Sequence, residues 1–459
     1  MGLLFLILFA VLEILLMVLT FTKGSEKSKF LKNRTLVIFA ELLILLLIVL
    51  LPTTYMKWRF ACALAVLAVR FVFSGIRFLL KGKKVEGNVR KPARILCCAL
   101  SVIIMAFSLV PSFVFANYNG LEVTGEYEIS ECSAILVDHS RTDKFENDGS
   151  NCEVPLHFYY PEKDGEFPLV IFSHGAFGYY QSNYSTYAEL ASNGYVVVAV
   201  DHPHHAFFTK DTSGSMVIVD KDFIANAVKF SNVDGVSIEE AFALSQEWMD
   251  LRTNDMNFVL DTIKNAKNNG KLDNAFYSKN EADVLNVISK TNTDRIGLIG
   301  HSMGGATAVA LGRERTDIDA VIDFDGSMLR EIKGIENGEC VYTNEPYPIP
   351  LLDFRKESDY NEIEQLRNND TYANSYAYGF TYVNNYIVEN AKNARSVVFK
   401  NAGHMNFTDL PMFSPFLSSM LGTGDADSEQ FMYTVNEVTL NWFDYYLKDE
   451  GSLNIKAIY

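Results

Sequence analysis

The sequence has few cysteines, no internal repeat and no low-complexity stretch. Six cysteines are spread over 459 residues, and none of them forms a Cys-x-x-Cys pair. This spacing excludes a zinc knuckle and a framework of disulfide bonds. Three cysteines fall after the apolar N-terminal stretches. A bridge between Cys132 and Cys152, or three free thiols, are equal alternatives for this part of the chain.

Basic residues are scarce after residue 116. Residues 1–116 hold 15 lysines and arginines against four acidic residues, whereas residues 117–459 hold 25 basic and 52 acidic residues. A domain with so negative a charge is a poor ligand for nucleic acid and is repelled by anionic lipid headgroups. We therefore expect no nucleic-acid partner, and attachment to a membrane must come from apolar segments.

Long apolar stretches occur in the first 116 residues. Their lengths are typical of membrane-spanning helices, and three further stretches after the first argue against a cleaved signal peptide. The four stretches are Leu3–Phe21, Leu36–Leu51, Phe60–Leu80 and Ile95–Ala116. The sequence therefore predicts a multi-pass anchor in the lipid bilayer over residues 1–116 and a second domain over residues 117–459.

The loops between the predicted spans differ in charge. The first and third loops are strongly basic, whereas the middle loop has only Lys57 and Arg59. By the positive-inside rule, the basic loops face the cytoplasm, so both termini and all residues after Ala116 lie outside the cell membrane. Glu13 and Glu41 lie within the first two spans, where a carboxyl group faces a helix partner or a small polar site.

From Leu121 onward, short apolar strands alternate with helices, which predicts a mostly parallel sheet covered on both faces. The predicted strands are residues 121–137, Val154–Tyr160, Phe167–Ser173, Tyr195–Val200, Asp294–Gly300, Ala320–Phe324, Ile349–Asp353 and Ser396–Lys400, and the predicted helices include Ser182–Asn193, Ile238–Ala266 and Gln430–Lys448. Residues 201–293 are too long for an ordinary connection. We expect this helical insertion to cover or border the functional site.

A nucleophile elbow is the most informative motif. Residues Gly300-His301-Ser302-Met303-Gly304 form the pattern Gly-x-Ser-x-Gly between a predicted strand and a predicted helix. In α/β-hydrolases this strained turn exposes the serine Oγ above the sheet. The helix N-terminus favours negative charge that develops beside it. The sequence therefore predicts an α/β-hydrolase fold with Ser302 as the nucleophile.

A serine nucleophile needs a base, an orienting acid and donors for an oxyanion. His404 is the only histidine after the elbow, which is where the order Ser…Asp…His of this fold requires it. Ser173-His174-Gly175-Ala176 follows an early strand and resembles the His-Gly oxyanion motif of esterases. We expect the backbone N–H groups of Ala176 and Met303 to be the two donors.

Four aspartates are candidates for the orienting acid. Asp323 and Asp325 come with one predicted strand, and Asp353 and Asp359 follow the next. The usual place of the acid in this fold favours the later strand. Gly326, however, gives Asp325 a sharp exit turn, and Asp323 lies deeper in the sheet. The residues alone leave these alternatives open.

A cluster of imidazoles and a carboxylate occurs at Asp201-His202-Pro203-His204-His205. Its spacing matches no helical arrangement of metal ligands. We therefore interpret the cluster as a loop at the rim of the site, and we predict neither a metal nor an organic cofactor.

Together these segments resemble the platelet-activating factor acetylhydrolases of the plasma and intracellular type II group. The resemblance covers about Leu156 to Leu447, and its segments are Ile299–Thr307, Ser173–Gly178, Val197–His202 and Gly403–Asp409. It implies a calcium-independent serine esterase that cleaves short or oxidised acyl chains from phospholipids. It also implies Asp325, 23 residues after the nucleophile, as the triad acid. The predicted spans depart from the family pattern, as do the histidines of Asp201–Thr209, where relatives tend to carry arginine.

The sequence thus predicts a membrane-anchored serine hydrolase of ester or phospholipid substrates, with Ser302, Asp325 and His404 as its triad. Three alternatives remain. An acyltransferase would use the same residues with an alcohol in place of water. Lipases and polyester hydrolases share several of the motifs. A non-catalytic membrane binding protein would be marked by a missing triad member, and none is missing.

Overall fold

The computed structural model describes residues 1–22, 26–81, 85–231, 236–359, 361, 363 and 376–459. They form two compact units. The first consists of Met1–Gly120 with Pro411–Met420, and the second of Leu121–Leu410 with Leu421–Tyr459. The sequence predicts a boundary at residue 116 and carries no signal that a segment near the C-terminus joins the first unit.

In its N-terminal part, the first unit has four long apolar α-helices followed by a short one. Each long helix is long and apolar enough to cross a membrane. The helices are α1 (Gly2–Thr22), α2 (Lys27–Leu50), α3 (Ala61–Lys81), α4 (Lys91–Ser108) and α5 (Val110–Val114). Helix α2 begins nine residues before the predicted apolar stretch, because good helix formers such as lysine and arginine extend it beyond the apolar residues.

Ionisable side chains from four helices meet inside this unit. Arg94 Nη2 donates to Glu13 Oε2 at 2.7 Å, and Arg70 donates to the other oxygen of Glu13. Arg70 Nη1 also lies 3.6 Å from Glu41 Oε2. Both carboxyl groups are buried. Each therefore faces a partner on another helix, as expected for a carboxyl group within an apolar span.

The second unit is built on a nine-stranded sheet in the order β13-β12-β9-β8-β3-β4-β2-β1-β7. Its strands are β1 (Ile129–Thr142), β2 (Asn151–Pro161), β3 (Phe167–Ser173), β4 (Val196–Val200), β7 (Phe276–Tyr277), β8 (Thr291–His301), β9 (Ala320–Phe324), β12 (Leu351–Lys356) and β13 (Ala394–Phe399). The strands from β13 to β4 are parallel, and β2, β1 and β7 form an antiparallel edge. This sheet confirms the predicted α/β-hydrolase fold.

Helices cover both faces of the sheet. They are α6 (Tyr184–Ser192), α7 (Lys221–Phe230), α8 (Ile238–Asn269), α9 (Glu281–Lys290), α10 (Met303–Glu314), α11 (Tyr376–Asn390) and α14 (Ser428–Leu447). Between α11 and α14 lie two short helices, α12 (Leu410–Phe413) and α13 (Pro415–Met420), which belong mostly and wholly to the first unit. In β8, Ile296 and Leu298 share a core with α8 and α10, whereas Gly297 faces Phe443 of α14. Alternate residues of this strand therefore point into two cores.

The insertion between β4 and β8 is part of the core. Met249, Met256 and Leu260 of α8 are fully buried. The insertion therefore borders the elbow as an integral layer of the core and is not a detachable cover.

The sequence does not predict two short hairpins, because strands of three to five residues carry little periodicity. In these hairpins β5 (Phe208–Lys210) pairs with β6 (Met216–Ile218), and β10 (Ile332–Glu336) pairs with β11 (Glu339–Tyr342).

The register of β1 and β2 decides between the cysteine alternatives. Cys132 lies opposite Phe158, and Cys152 lies opposite Asp138. The two cysteines are thus separated by about 20 Å along the strands, at roughly 3.3 Å per residue, which is far beyond the reach of a disulfide. Both thiols are free. Burial raises the pKa of Cys132 to about 12 and that of Cys152 to about 11.

Candidate active site

The elbow holds Ser302 in a strained conformation between β8 and α10. Its backbone has φ 56° and ψ −122°, a conformation that residues with a side chain rarely adopt. The Ser302 N–H donates to Phe324 O at 2.8 Å and so ties the turn to β9. A Cβ on Gly304 would lie 1.9 Å from Ser173 O. Only glycine fits there, so the sharp turn and the exposed serine depend on it.

Asp325 and His404 meet beside the elbow. Asp325 directly follows β9, with φ 53°, and its N–H donates to Phe354 O at 3.0 Å. His404 lies after β13, in a 3₁₀ turn that spans His404–Phe407. His404 Nδ1 and Asp325 Oδ2 form a hydrogen bond of 2.6 Å. The parallel strands therefore deliver both side chains to the same edge of the sheet.

The carboxyl group of Asp325 is held ionised although it is buried. Burial acts to raise its pKa, but the hydrogen bond and charge of His404 and the nearby Lys356 lower the pKa to about 2. Lys356 Nζ lies 3.6 Å from Asp325 Oδ2, and the Lys356 N–H donates to Oδ1 at 3.2 Å. An anion at this position can orient an imidazole through its Nδ1–H.

The other three acidic candidates have different partners. Asp353 accepts hydrogen bonds from Asn384 Nδ2 at 2.9 Å and from Ser396 Oγ at 2.7 Å. Asp323 accepts the N–H of Gly326 at 2.9 Å. Burial raises the pKa of both carboxyl groups, and the negative charge of Asp353 raises that of Asp323 further. Asp359 pairs with Lys356 at 2.9 Å. Among the described residues, Asp325 is the carboxylate bonded to His404.

His301 of the elbow contacts the 3₁₀ turn His404–Phe407, which we call the histidine turn. Its Nε2 forms a hydrogen bond of 3.1 Å with His404 O, and the two imidazole rings are 4.5 Å apart. Burial, followed by the neighbouring His404, lowers the pKa of His301 to about 3, so its ring is neutral and donates from Nε2. No hydrogen bond joins Ser302 Oγ to His404 within the described ranges; in free enzymes this contact is often long and tightens with substrate.

The turn after β3 lies directly against Ser302. A Cβ on Gly175 would be 2.8 Å from His301 Nδ1 and 3.3 Å from Ser302 Cβ. The next residue is Ala176, and Met303 begins α10 on the other side of the serine. Both expected oxyanion donors therefore belong to residues next to segments that touch or adjoin Ser302, and their role as donors stays a prediction. Phe177, with φ 62°, closes the turn by donating to His205 O at 3.0 Å.

The histidines of the loop after β4 are occupied by protein partners. His202 bonds to Asp255 and Ser173, His204 stacks on Phe145, and His205 stacks on Phe223 at 3.9 Å. Burial lowers the pKa of His202 and His205 well below the ordinary value. Within the part of the chain that the structure describes, no group of three or more His, Cys, Asp or Glu side chains is arranged to hold a metal.

Sequence reasoning missed several residues that hold the histidine turn in place. Asn406 Oδ1 accepts the N–H groups of Gly403 at 2.8 Å and Gly424 at 2.7 Å. Asn183 Nδ2 donates to Phe407 O at 2.6 Å, and Asp409 accepts both the N–H and the hydroxyl of Ser185. Asn406 and Asp409 carried a signal as members of the segment Gly403–Asp409, whereas Asn183 and Ser185 become adjacent to it only when the chain folds.

Comparison with known proteins finds one family and several relatives. The sequence model of "Platelet-activating factor acetylhydrolase, isoform II" matches residues 145–454. The platelet-activating factor acetylhydrolase of Bos taurus is 25% identical over 296 residues, which cover 61% of this chain and 57% of the bovine protein. A putative phospholipase A2 of Schizosaccharomyces pombe is 22% identical over 302 residues, which cover 61% of this chain and 68% of that protein.

A solved structure shares the fold. The ferulic acid esterase from Streptomyces cinnamoneus has a TM-score of 0.52 and 19% sequence identity, over 73% of this chain and 94% of that chain. The chain spans about three fifths of the length of the mammalian acetylhydrolases that it matches. The described site lies within the matched region.

Proposed function

Because this chain belongs to the platelet-activating factor acetylhydrolase isoform II family, we propose that it is a membrane-anchored serine hydrolase of short-chain or phospholipid acyl esters. Ser302 is the nucleophile, His404 the base and Asp325 the orienting acid. The observation that carries this proposal is the 2.6 Å hydrogen bond between His404 and Asp325, beside a serine on a strained strand-to-helix turn. The names of the matched relatives support the lipid ester as substrate class.

The reaction proceeds by acyl transfer to the serine. Ser302 Oγ attacks the ester carbonyl while His404 Nε2 takes the hydroxyl proton, and Asp325 holds Nδ1–H and stabilises the imidazolium. The imidazolium then gives its proton to the departing alcohol, which leaves the acyl group on Ser302. Water, deprotonated by His404, attacks this acyl-enzyme and releases the acid and the free serine.

The tetrahedral intermediate is stabilised by donors that are already in place. The two donors are the N–H groups of Ala176, which follows Gly175 in the turn against Ser302, and of Met303, which begins helix α10. Donors that need no reorganisation lower the barrier more than flexible ones, and a helix N-terminus adds a favourable dipole. Neither N–H donates to another group in the described ranges, so both are available to an oxyanion.

The membrane is the location of this hydrolase. Helices α1 to α4 have the length and hydropathy of spans, and the basic first and third loops favour a catalytic unit outside the cell membrane. The acidic residues 117–459 offer no electrostatic attraction to anionic lipid. The helices therefore supply the attachment.

The decisive experiment is hydrolysis by the full-length chain in detergent micelles. Wild type should cleave p-nitrophenyl acetate and butyrate, and a phospholipid with an sn-2 acetyl group. Ser302→Ala should lower kcat by about 10⁶-fold and abolish labelling by a fluorophosphonate. Ser213→Ala, at an exposed serine, is the matched control and should behave as wild type. A Ser302→Ala protein that retains a tenth of the activity would contradict the proposal. Adding an alcohol acceptor identifies an acyltransferase if ester product exceeds free acid.

A further inference from the structure

A second Ser-His-Asp chain lies behind the turn that carries Ala176. Ser173 Oγ and His202 Nε2 are 2.9 Å apart, and His202 Nδ1 lies 2.9 Å from Asp255 Oδ2. Neutral His202 donates its Nδ1–H to the carboxylate and accepts the Ser173 hydroxyl proton at Nε2. The connectivity is that of a catalytic triad. Ser173 and His202, however, are both fully buried, so this hydroxyl cannot meet an ester.

Arg252 of α8 completes this buried cluster. Its Nη1 donates to His174 O, and its Nη2 donates to Gly175 O at 3.4 Å. Its Nε donates to His205 Nδ1 at 3.3 Å. Arg252 has no exposed surface. Among the described residues, Arg252 therefore donates to the turn after β3 that carries Ala176, which we call the oxyanion turn, and to His205 in the loop after β4.

The peptide between Gly175 and Ala176 explains why these contacts matter. Gly175 O accepts from Arg252, from His174 Nδ1 at 2.6 Å and from the Gly178 N–H at 3.0 Å. The C=O and N–H of a trans peptide point in opposite directions within one rigid plane. Three donors on the oxygen therefore fix the direction of the Ala176 N–H, and the positive charge polarises that N–H further.

The burial of Arg252 is costly, and among the described residues no acidic side chain accepts a hydrogen bond from it. Burial lowers the pKa of Arg252 to about 9, while the charge of Asp255 acts to raise it. Burial also raises the pKa of Asp255 to about 6, although the charge of Arg141 and its hydrogen bond at 2.8 Å act to lower it. A cation that is buried against two neutral carbonyls and a neutral imidazole recovers little of its desolvation cost, so stability alone does not explain it.

We propose that Arg252 is a positioning residue for the oxyanion hole, and that the Ser173–His202–Asp255 chain fixes the base of the same turn. This inference rests on the proposed function, because it takes the Ala176 N–H as an oxyanion donor. It assigns the insertion helix α8 a role in the reaction. Arg252 of α8 sets the direction of the Ala176 N–H, which contacts the substrate, whereas Arg252 itself does not.

The test separates the transition state from the ground state. An alkyl trifluoromethyl ketone accepts the Ser302 oxygen at its carbonyl carbon, the carbonyl oxygen becomes the oxyanion, and the serine proton goes to His404; nothing is released. Such an adduct uses the oxyanion hole as the transition state does. The matching ether of the substrate has no carbonyl and reports ground-state binding only.

Arg252→Gln should lower kcat about 10²-fold, the scale expected when a catalytic contact is misplaced, with KM within about twofold of wild type. Its ketone inhibition constant should weaken by the same factor as kcat/KM, while ether binding stays unchanged. Arg252→Lys, which keeps the charge but loses the fork, should lose roughly tenfold. Arg330→Gln is the matched control, because Arg330 also binds α8, at Gln246 and Asp250; its kinetics should equal those of wild type.

Folding is checked by the melting temperature of each variant. If Arg252→Gln does not fold, Arg252→Lys and Ser173→Ala decide the matter, and Ser173→Ala should also lose kcat without loss of ether binding. Folded variants with unchanged ketone binding, or with equal losses for ketone and ether, would overturn the positioning role. A wild-type protein that neither hydrolyses esters nor binds the ketone would instead refute the proposed function.

Discussion

At the residue scale, the position of Asp325 depends on its backbone. A positive φ turns the chain sharply at the end of β9, and the next residue must be glycine because a Cβ on Gly326 would lie 2.3 Å from Ser302 O. The turn directs the carboxylate toward His404 and away from the pair formed by Asp323 and Asp353. Two strained residues, Ser302 and Asp325, thus lie side by side at one edge of the sheet.

Asp325→Asn tests this assignment. The amide keeps the shape of the side chain but favours the wrong imidazole tautomer, so kcat should fall by about 10⁴-fold while KM and the melting temperature change little. The measurement is steady-state hydrolysis of p-nitrophenyl acetate. Asp359→Asn is the control, because Asp359 pairs with the same Lys356 without contacting His404. Near wild-type activity in Asp325→Asn, with an inactive Asp359→Asn or Asp353→Asn, would transfer the role to the later strand.

The sequence alone predicts much of the candidate triad, because the nucleophile, acid and base of this fold occur in a fixed order along the chain. Ser302 and His404 followed from the elbow motif and from the single histidine after it. Asp325 needed the family resemblance as well, since four aspartates met the same local criteria. Arg252 and Lys356 had no local signal, because each reaches its partner over a large sequence separation that only the fold closes.

At the scale of elements, the histidine turn is held by the first turn of α6. Asn183 and Ser185 at that helix start bond to Phe407 and Asp409. Asp409 is buried and accepts both polar hydrogens of Ser185, with no cation among its recorded partners. Burial raises its pKa to about 7, although the hydrogen bonds from Ser185 act to lower it. A raised pKa of this kind couples the attachment of the turn to pH.

The sign of this coupling follows from proton binding. The folded state holds the Asp409 proton up to about pH 7, whereas the unfolded chain releases it near pH 4. The contribution to stability is therefore complete below about pH 4 and is lost as the pH rises through 7, by an amount on the order of a few kcal/mol. Asp409→Asn mimics the protonated form, since its amide can donate to Ser185 Oγ.

Asp409→Asn should thus raise the melting temperature of the second unit at pH 8.5 by several degrees relative to wild type and by clearly less at pH 5, where only a small part of the Asp409 contribution is lost. The measurement is differential scanning fluorimetry of the full chain in detergent, with Asp294→Asn at an exposed site as the control. A difference from wild type that is the same at both pH values would show that Asp409 is ionised in the folded protein throughout.

Element boundaries show where sequence reasoning succeeds. β3 and β9 match their predicted bounds, Phe167–Ser173 and Ala320–Phe324, because a fully buried parallel strand is a continuous apolar run with polar ends. The predicted helix Ile238–Ala266 corresponds to α8 (Ile238–Asn269). Its place in the core could not be predicted, because a 3.6-residue period shows that a helix has a buried face but does not show which elements cover that face. The antiparallel strand β1 begins eight residues later than expected, because residues 121–128 alternate between apolar and polar side chains, as in a strand, but pair with no strand among the described residues.

At the scale of the whole chain, charge and hydropathy separate along the sequence. The basic and apolar residues 1–116 precede a strongly acidic remainder. The family match begins only at residue 145, so the four apolar helices are an addition to the part of the chain that the family describes. The family fold does not determine on which side of a membrane the second unit, hereafter the hydrolase unit (Leu121–Leu410 with Leu421–Tyr459), lies. The prediction of its orientation therefore rests on loop charge.

We expect the hydrolase unit to lie outside the cell membrane. The first loop region carries Lys23, Lys27, Lys29, Lys32 and Arg34, and the third carries a comparable set, whereas the middle loop has two basic residues; positive charge retains the first and third loops in the cytoplasm. Protease added to intact cells should therefore remove the unit and leave the helices in the membrane. Replacing the five basic residues of the first loop with glutamine, and moving a similar number of lysines into the middle loop, should protect the unit. Full protection of the wild-type unit, in cells where a known external protein is cleaved, would reverse the topology and place the esterase in the cytoplasm.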